Sequence, residues 1–271
     1  MAVLSNIAKQ WEIDHARGEM VAFRILDQAL RDMALSIPLR NFTPVLIAPA
    51  IEANITPEKL APAITRIWMR TASQSASRQR DEIVEQANIK ALPTREDITE
   101  HLTRLLRTSR RVDLFSMALT FSGYLNAKIT SILEETEDQT AAITAWLAFL
   151  ASREFYRYQI ARIARTETTG AANWGRQQST QIMGVLTQKT WLTMLDERVR
   201  DRPFPGFNHR VLHGVTIGSE ELFSQGGVSL SYPGDPRAQP PARSAGMIIN
   251  CRCLAVYTPA TDARGRTRIR F

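Results

Sequence analysis

Cys251 and Cys253 are the only cysteines in the 271-residue chain, and they flank Arg252 in a Cys-Arg-Cys run. Two of the four histidines, His209 and His213, lie about forty residues upstream. In an extended segment, side chains two apart share a face, so both thiols would point one way and Arg252 the other. Thiolate sulfur and imidazole nitrogen are favoured zinc donors, and His209, His213, Cys251 and Cys253 supply the four that a structural zinc takes. The spacing departs from the usual pattern, in which two residues separate the cysteines and a His-x3-His pair sits on a helix. Here the histidines fall where a turn enters a strand. The preferred expectation is therefore two small buried thiols packed near a histidine, with no cofactor, and zinc is the alternative. Cysteines two apart make a poor disulfide pair. Cys251 and His209 could also be written as nucleophile and base, but two thiols on one packed strand read as structural.

A second charged group is Asp196-Glu197-Arg198-Val199-Arg200. A carboxylate–guanidinium network fixing the loop that follows is expected there, with Arg198 pairing either Asp196 or Asp235. There is no phosphate-cradling Gly-rich loop, no Gly-x-Ser-x-Gly elbow and no His-Glu-x-x-His helix. No catalytic residue is assigned, which leaves an enzyme using a cysteine or a zinc-bound water as the alternative function.

The formal charge is +7 with a sequence pI near 9.8, and almost all of the positive charge is arginine, since lysine occurs only at positions 9, 59, 90, 128 and 189. Guanidinium binds phosphate with a planar fork, and an excess of this size suits an acidic partner such as nucleic acid. Arg264, Arg266, Arg268 and Arg270 alternate through the last eight residues. In an extended tail their guanidinium groups would project on one side about 6–7 Å apart, which makes them the DNA-binding candidates. A free, non-specific DNA-binding protein is thus another alternative function. No apolar run reaches the roughly 20 residues a membrane span needs. The N-terminus lacks the basic start and apolar core of a signal peptide, so synthesis in a cytoplasm is expected.

The elements that must position these groups are mostly helical. Leu4, Ile7, Trp11, Val21, Ile25, Leu26 and Leu30 fit amphipathic helices over 3–35, and Pro38, Pro44 and Pro49 punctuate the stretch after them. Thr56-Pro57-Glu58 begins a helix expected to reach about Asn88, with a polar, Ser/Gln-rich middle from Thr71 to Arg80 that reads as exposed or weak. Thr94 to Asp97 caps the next. Trp146, Phe149, Leu150, Arg153, Tyr156, Ile160 and Ile163 form an apolar stripe expected to line one helix face as core. After Gln188 the pattern changes. Lys189–Leu195, with Trp191 inward, Val211–Ile217, Val228–Tyr232 and Cys251–Tyr257 are short strand candidates, and a Pro/Gly-rich loop spans 233–246. The fold class is α+β: a mainly helical N-terminal part (1–140), a helix pair (141–188), a small loop-rich α+β module (189–258) and an arginine-rich tail (259–271).

Taken together, Arg165-Thr166-Glu167, Lys189-x-Trp191, Asp196 to Arg200, His209, Gly214, Phe223, Tyr232-Pro233-Gly234-Asp235-Pro236 and Asn250-Cys251-Arg252-Cys253 resemble the C-terminal domain of the phage Mu F-like minor head proteins, over about residues 160–257. The resemblance marks Trp191, Asp196, Arg198, Arg200, Asp235, Asn250 and Arg252 as structural motif residues. It departs from relatives that carry a Cys-x-x-Cys pair near the first half-site, where Arg200 takes one place and His209 arrives late. It implies a minor capsid protein of a tailed phage or prophage, made in the bacterial host cytoplasm and carried in several copies inside the head near the portal. It further implies the portal protein and the major capsid protein as partners, with a role in head assembly and contact with packaged double-stranded DNA. Residues 1–140 are the expected docking surface.

Overall fold

Apolar positions three and four apart fold into α1 (Ala2–Leu35), α2 (Pro57–Ala87), α3 (Arg95–Arg107), α4 (Arg111–Glu134), α5 (Gln139–Ala151), a π-helical turn (Phe155–Ile160) and α6 (Ala161–Ile182). The computed structural model describes residues 2–35, 49–50, 52–87, 92–136, 138–152, 155–194, 196–201 and 207–269. Pro38, Pro44, Arg153, Leu195 and Arg270 lie outside them. The start of α3 is set as its sequence demands. Thr94 Oγ1 accepts from the Asp97 N–H at 3.1 Å and the Asp97 carboxylate accepts from the Thr94 N–H at 2.7 Å, a reciprocal cap that satisfies two orphan donors.

The chain then turns to short strands: β1 (Thr187–Leu192), β2 (Thr216–Gly218), β3 (Phe223–Gln225), β4 (Val228–Leu230) and β5 (Leu254–Pro259), with α7 (Pro241–Ile248) before the last. β1 is central in an antiparallel sheet ordered β2-β1-β5, and β3 pairs β4 in a hairpin. The hairpin turns on Gly226 and Gly227, both at positive φ (61° and 74°), where a side chain would be strained. This is the α+β architecture that the sequence led us to expect.

Four details differ from the sequence reading. The middle of α2 is buried, not exposed: Ala72, Ala76 and Gln79 are at 0% exposure. Small side chains there let α6 approach, and α2 against α6 is the most extensive helix packing in the molecule. The stripe from Trp146 to Ile163 is not one helix, because α5 ends at Ala151 and Ser152 takes an extended ψ of 150°. Trp146, Phe149, Phe155 and Ile160 nonetheless share the main core. Val211 and Leu212 lie in a single 3-10 turn (Arg210–Leu212), so the strand begins only at Thr216. The Pro/Gly-rich segment 233–246 contains the start of α7, with Pro241 at its first position, where the missing N–H costs nothing.

The main core joins both halves of the chain. It runs from Leu26 and Leu30 of α1 through Trp68 of α2 and Trp174 of α6 to Tyr232, Ala255 and Tyr257. A buried cation ties these layers together. Arg110, in the turn between α3 and α4, donates to the Tyr232 hydroxyl at 2.6 Å and to Asp113 at 2.8 Å, with its guanidinium over the Trp68 and Trp174 rings. A smaller core of Trp191, Leu212, Phe223, Val228, Leu230, Met247 and both cysteines forms a separate cluster.

Candidate functional site

Cys251 and Cys253 sit just ahead of β5, both buried, and β5 fixes where they are. β5 pairs with β1 along one edge only. An uncovered edge leaves its N–H and C=O groups without partners, which is costly when buried. Here, side chains of the helices supply them. Asn173 of α6 donates to the carbonyls of Cys253 (3.0 Å) and Pro233 (3.1 Å) and accepts from the Ala255 N–H (2.8 Å). Arg176 donates to the Ala255 carbonyl at 3.1 Å and pairs with Glu82. Gln79 of α2 donates to the Tyr257 carbonyl at 2.9 Å and accepts from its N–H at 3.4 Å. Thr169 donates to the Cys251 carbonyl, and the Trp11 indole of α1 donates to that of Arg252 at 3.1 Å. Residues 251, 252, 253, 255 and 257 are thus read by side chains from three helices.

On the other face of this segment His209 meets both thiols. Its Nδ1 lies 3.7 Å from Cys251 Sγ and 3.5 Å from Cys253 Sγ. The three ligand-capable atoms all fall within 4.8 Å of one another, and all three residues are buried. Trp191 stands edge-on to the His209 ring at 5.8 Å and to Phe223 at 5.2 Å, closing the site with apolar surface. His209 Nε2 is buried with no hydrogen-bond partner among the described residues. Burial opposes ionisation of Cys251, yet the Cys253 thiol beside it and His209 hold it well below the ordinary thiol range. Burial pushes Cys253 well up, and Cys251 adds to the effect.

His213 does not join them. Its Nδ1 is 3.1 Å from both the Thr193 N–H and the Thr193 hydroxyl. The 3-10 turn separates the two histidines, so the expected four-residue set reduces to three.

The charged motif is organised differently from its sequence reading. Asp196 pairs with Arg252, at 2.6 and 2.5 Å from the two carboxylate oxygens. Arg198 donates its backbone N–H to Asp196 at 3.1 Å, and its positive charge also favours the ionised carboxylate. Arg252 is held between Asp196 and the edge contact of its own carbonyl, and its pairing with Asp196 keeps that carboxyl below its usual range against a burial effect that would raise it. Arg200 reaches the carbonyls of Gly246 and Ile249 at the end of α7. Asp235 accepts from the N–H groups of Ser231 and Arg237, both at 2.9 Å, and shapes the Tyr232–Pro236 turn. Asn250 takes a positive φ of 59°, with its N–H on Thr166 and its side chain on Arg165.

The tail is not an extended ladder. Thr261 bridges to Thr267 across a turn with Gly265 at φ 73°, and Ile269 bridges back to Val185. Asp262 accepts from the N–H groups of Arg264 and Arg266 and from the Arg266 guanidinium, so its carboxyl lies below its usual range. Arg264 and Arg268 are exposed. The even spacing of the sequence reading is lost because the chain reverses within the arginine run.

Residues 126–256, which contain α6, the whole edge clamp from that helix and the thiol–imidazole cluster, match the family model described as Phage Mu protein F like protein. This part of the chain is Phage Mu F-like. The match starts about thirty residues further upstream than the motifs suggest, taking in the end of α4 and all of α5. No curated protein and no solved structure matches the chain. Among the described residues, no helix is long and apolar enough to cross a membrane.

The positioning residues that sequence reasoning missed are Asn173, Arg176, Thr169, Gln79 and Trp11. One signal for them was available. Thr168, Thr169, Gly170 and Asn173 are poor helix formers in the middle of α6, and such residues persist in a helix interior when their side chains or their absence serve a contact.

Proposed function

We propose that the chain is a minor head protein of a tailed phage or prophage, acting without an enzymatic step in head assembly at the portal vertex. The Mu F-like match over residues 126–256 carries this reading. The helical half supplies the docking surface. Val112, Phe115 and Leu119 stand at i, i+3 and i+7 on α4 and are 76%, 39% and 55% exposed. A contiguous apolar stripe of this kind on a soluble helix suits a partner surface. In this reading the partner is the portal protein, with the major capsid protein nearby, several copies enter each virion, and packaged double-stranded DNA meets the basic surface of the chain. The buried state of both thiols and of His209 favours a structural part for them over a nucleophile that must meet substrate.

Co-sedimentation of the full chain with the portal protein tests this. Val112→Ser with Leu119→Ser is expected to weaken binding at least about tenfold, the scale of removing two apolar side chains from an interface, without changing thermal stability. Portal binding that is undiminished in this variant would remove α4 from the interface, and no binding by the parent chain would remove the portal as its partner.

A further inference from the structure

We propose that His209, Cys251 and Cys253 form a zinc site with three protein ligands. The proposal rests on the geometry of these side chains and is independent of any portal contact. A tetrahedral zinc with Zn–S about 2.3 Å and Zn–N about 2.0–2.1 Å sets its sulfur and nitrogen ligands about 3.5 Å apart. The two S···Nδ1 separations are 3.5 and 3.7 Å. Both cysteines and His209 converge from segments 42 and 44 positions apart, so chance proximity along the chain does not explain them. The ligand types are the soft and borderline donors that select zinc over the hard cations.

The site is also built to hold the ligands still. Cys251 and Cys253 are fixed through their backbone carbonyls by Thr169 and Asn173, and the Cys253 N–H points at Cys251 Sγ at 3.5 Å. The Asp196–Arg252 pair ties the stretch upstream of His209 to the cysteine segment. No fourth His, Cys, Asp or Glu joins the cluster among the described residues, and positions 202–206, Arg-Pro-Phe-Pro-Gly, contain none. The ion would therefore take its fourth ligand from outside this set. Its role is a staple: the second core is built on strands of three residues, and a metal bridging its two halves replaces apolar area that those strands cannot supply. On binding, the thiols that still carry protons release them to solvent and the sulfurs become thiolates.

The test uses the full chain. Elemental analysis after purification without chelator is expected to find one zinc per chain. After chelation, titration with cobalt(II) is expected to give thiolate-to-cobalt charge transfer together with the visible bands of a tetrahedral ion. His209→Gln should weaken cobalt binding by at least about tenfold, the loss seen on disturbing even a group behind the ligands. His213→Gln should leave it unchanged, since His213 bonds Thr193. Circular dichroism of each variant verifies that it is folded, and if His209→Gln does not fold, Cys253→Ser takes its place. A folded parent chain that purifies without zinc and shows no charge transfer with cobalt(II) overturns the proposal. So does cobalt binding that survives His209→Gln, or that disappears equally in His213→Gln.

Discussion

Glu167 is a carboxyl buried in the packing between α2 and α6, where its Oε2 accepts from the Trp68 indole at 2.8 Å. Burial raises its pKa to about 7, and the hydrogen bond from Trp68 only partly opposes this. The folded state therefore holds a proton that the unfolded chain gives up near its ordinary value of 4.5. Below that value both states are protonated and no penalty exists. Between 4.5 and about 7 the unfolded state alone is ionised, so stability falls as pH rises, and above about 7 the loss is complete. The displacement corresponds to roughly 3 kcal/mol. Glu167→Gln keeps an acceptor for Trp68 and removes the ionisation. Thermal unfolding from pH 4 to 8 should show the parent losing stability relative to the glutamine variant across that window, and parallel curves would contradict a buried neutral Glu167. Asn173 makes the other residue-scale prediction. Asn173→Ala leaves the Pro233 and Cys253 carbonyls and the Ala255 N–H without their side-chain partner. At about 1–3 kcal/mol for each unsatisfied buried group, the loss should be about 3 kcal/mol or more by denaturant unfolding. A loss under about 1 kcal/mol would mean that water replaces the amide.

At the scale of elements, the crossing of α2 and α6 sets the position of everything downstream. A Cβ on Gly175 would lie within 2.8 Å of the Ala72 Cα and press into the Ala72 carbonyl. Backbone meets backbone there, so neither side can give way. Gly175→Ala should cost about 3 kcal/mol through overpacking, and because Arg176 is the next residue, the edge of β5 would shift with it. Gly123 on α4 is the control, since a Cβ there meets nothing within 4 Å. Gly123→Ala should be neutral or stabilising by up to about 1 kcal/mol, the helix-propensity gain. Melting temperatures of the two variants should therefore move in opposite directions, or Gly175 alone should move. Equal shifts would mean that α2 and α6 do not approach closely.

At the scale of the whole molecule, the module that carries the thiols is completed by the helices. Trp11 and Gln79 come from residues 1–140, as does Trp68, against which Trp174 packs at 5.8 Å. Deleting 1–140 should leave residues 141–271 without a cooperative thermal transition, and a sharp transition near that of the intact chain would show that the edge hydrogen bonds are dispensable. The basic surface adds a second prediction. Arg264 and Arg268 are exposed at the turn of the tail while Arg266 is paired with Asp262. In a duplex titration at several salt concentrations, Arg264→Ser with Arg268→Ser should reduce the log–log salt slope by roughly 0.9 for each phosphate that is no longer neutralised. Arg266→Ser should change it less. A slope unmoved by the double variant would take the tail out of DNA binding.

Local rules determined much of this chain before any fold was known. A helix from Pro57 to about residue 88, the cap at Thr94, the strand around Trp191 and the α+β class all follow from periodicity and capping, which are properties of neighbours in sequence. The scattered motif from Arg165 to Cys253 was enough to mark the Mu F-like part. What the sequence left open is what depends on pairs far apart in the chain. Two histidines four residues apart looked equivalent, and only the 3-10 turn sends His209 to the thiols and His213 to Thr193. Arg198 stood next to Asp196, yet Arg252, 56 residues away, takes the carboxylate. The polar middle of α2 looked solvent-exposed, but a buried strand edge needs polar partners, and Gln79 reaches Tyr257 across 178 residues. Periodicity records which face of an element is apolar. It does not record which polar group another element will bring to it, and that choice was made by packing.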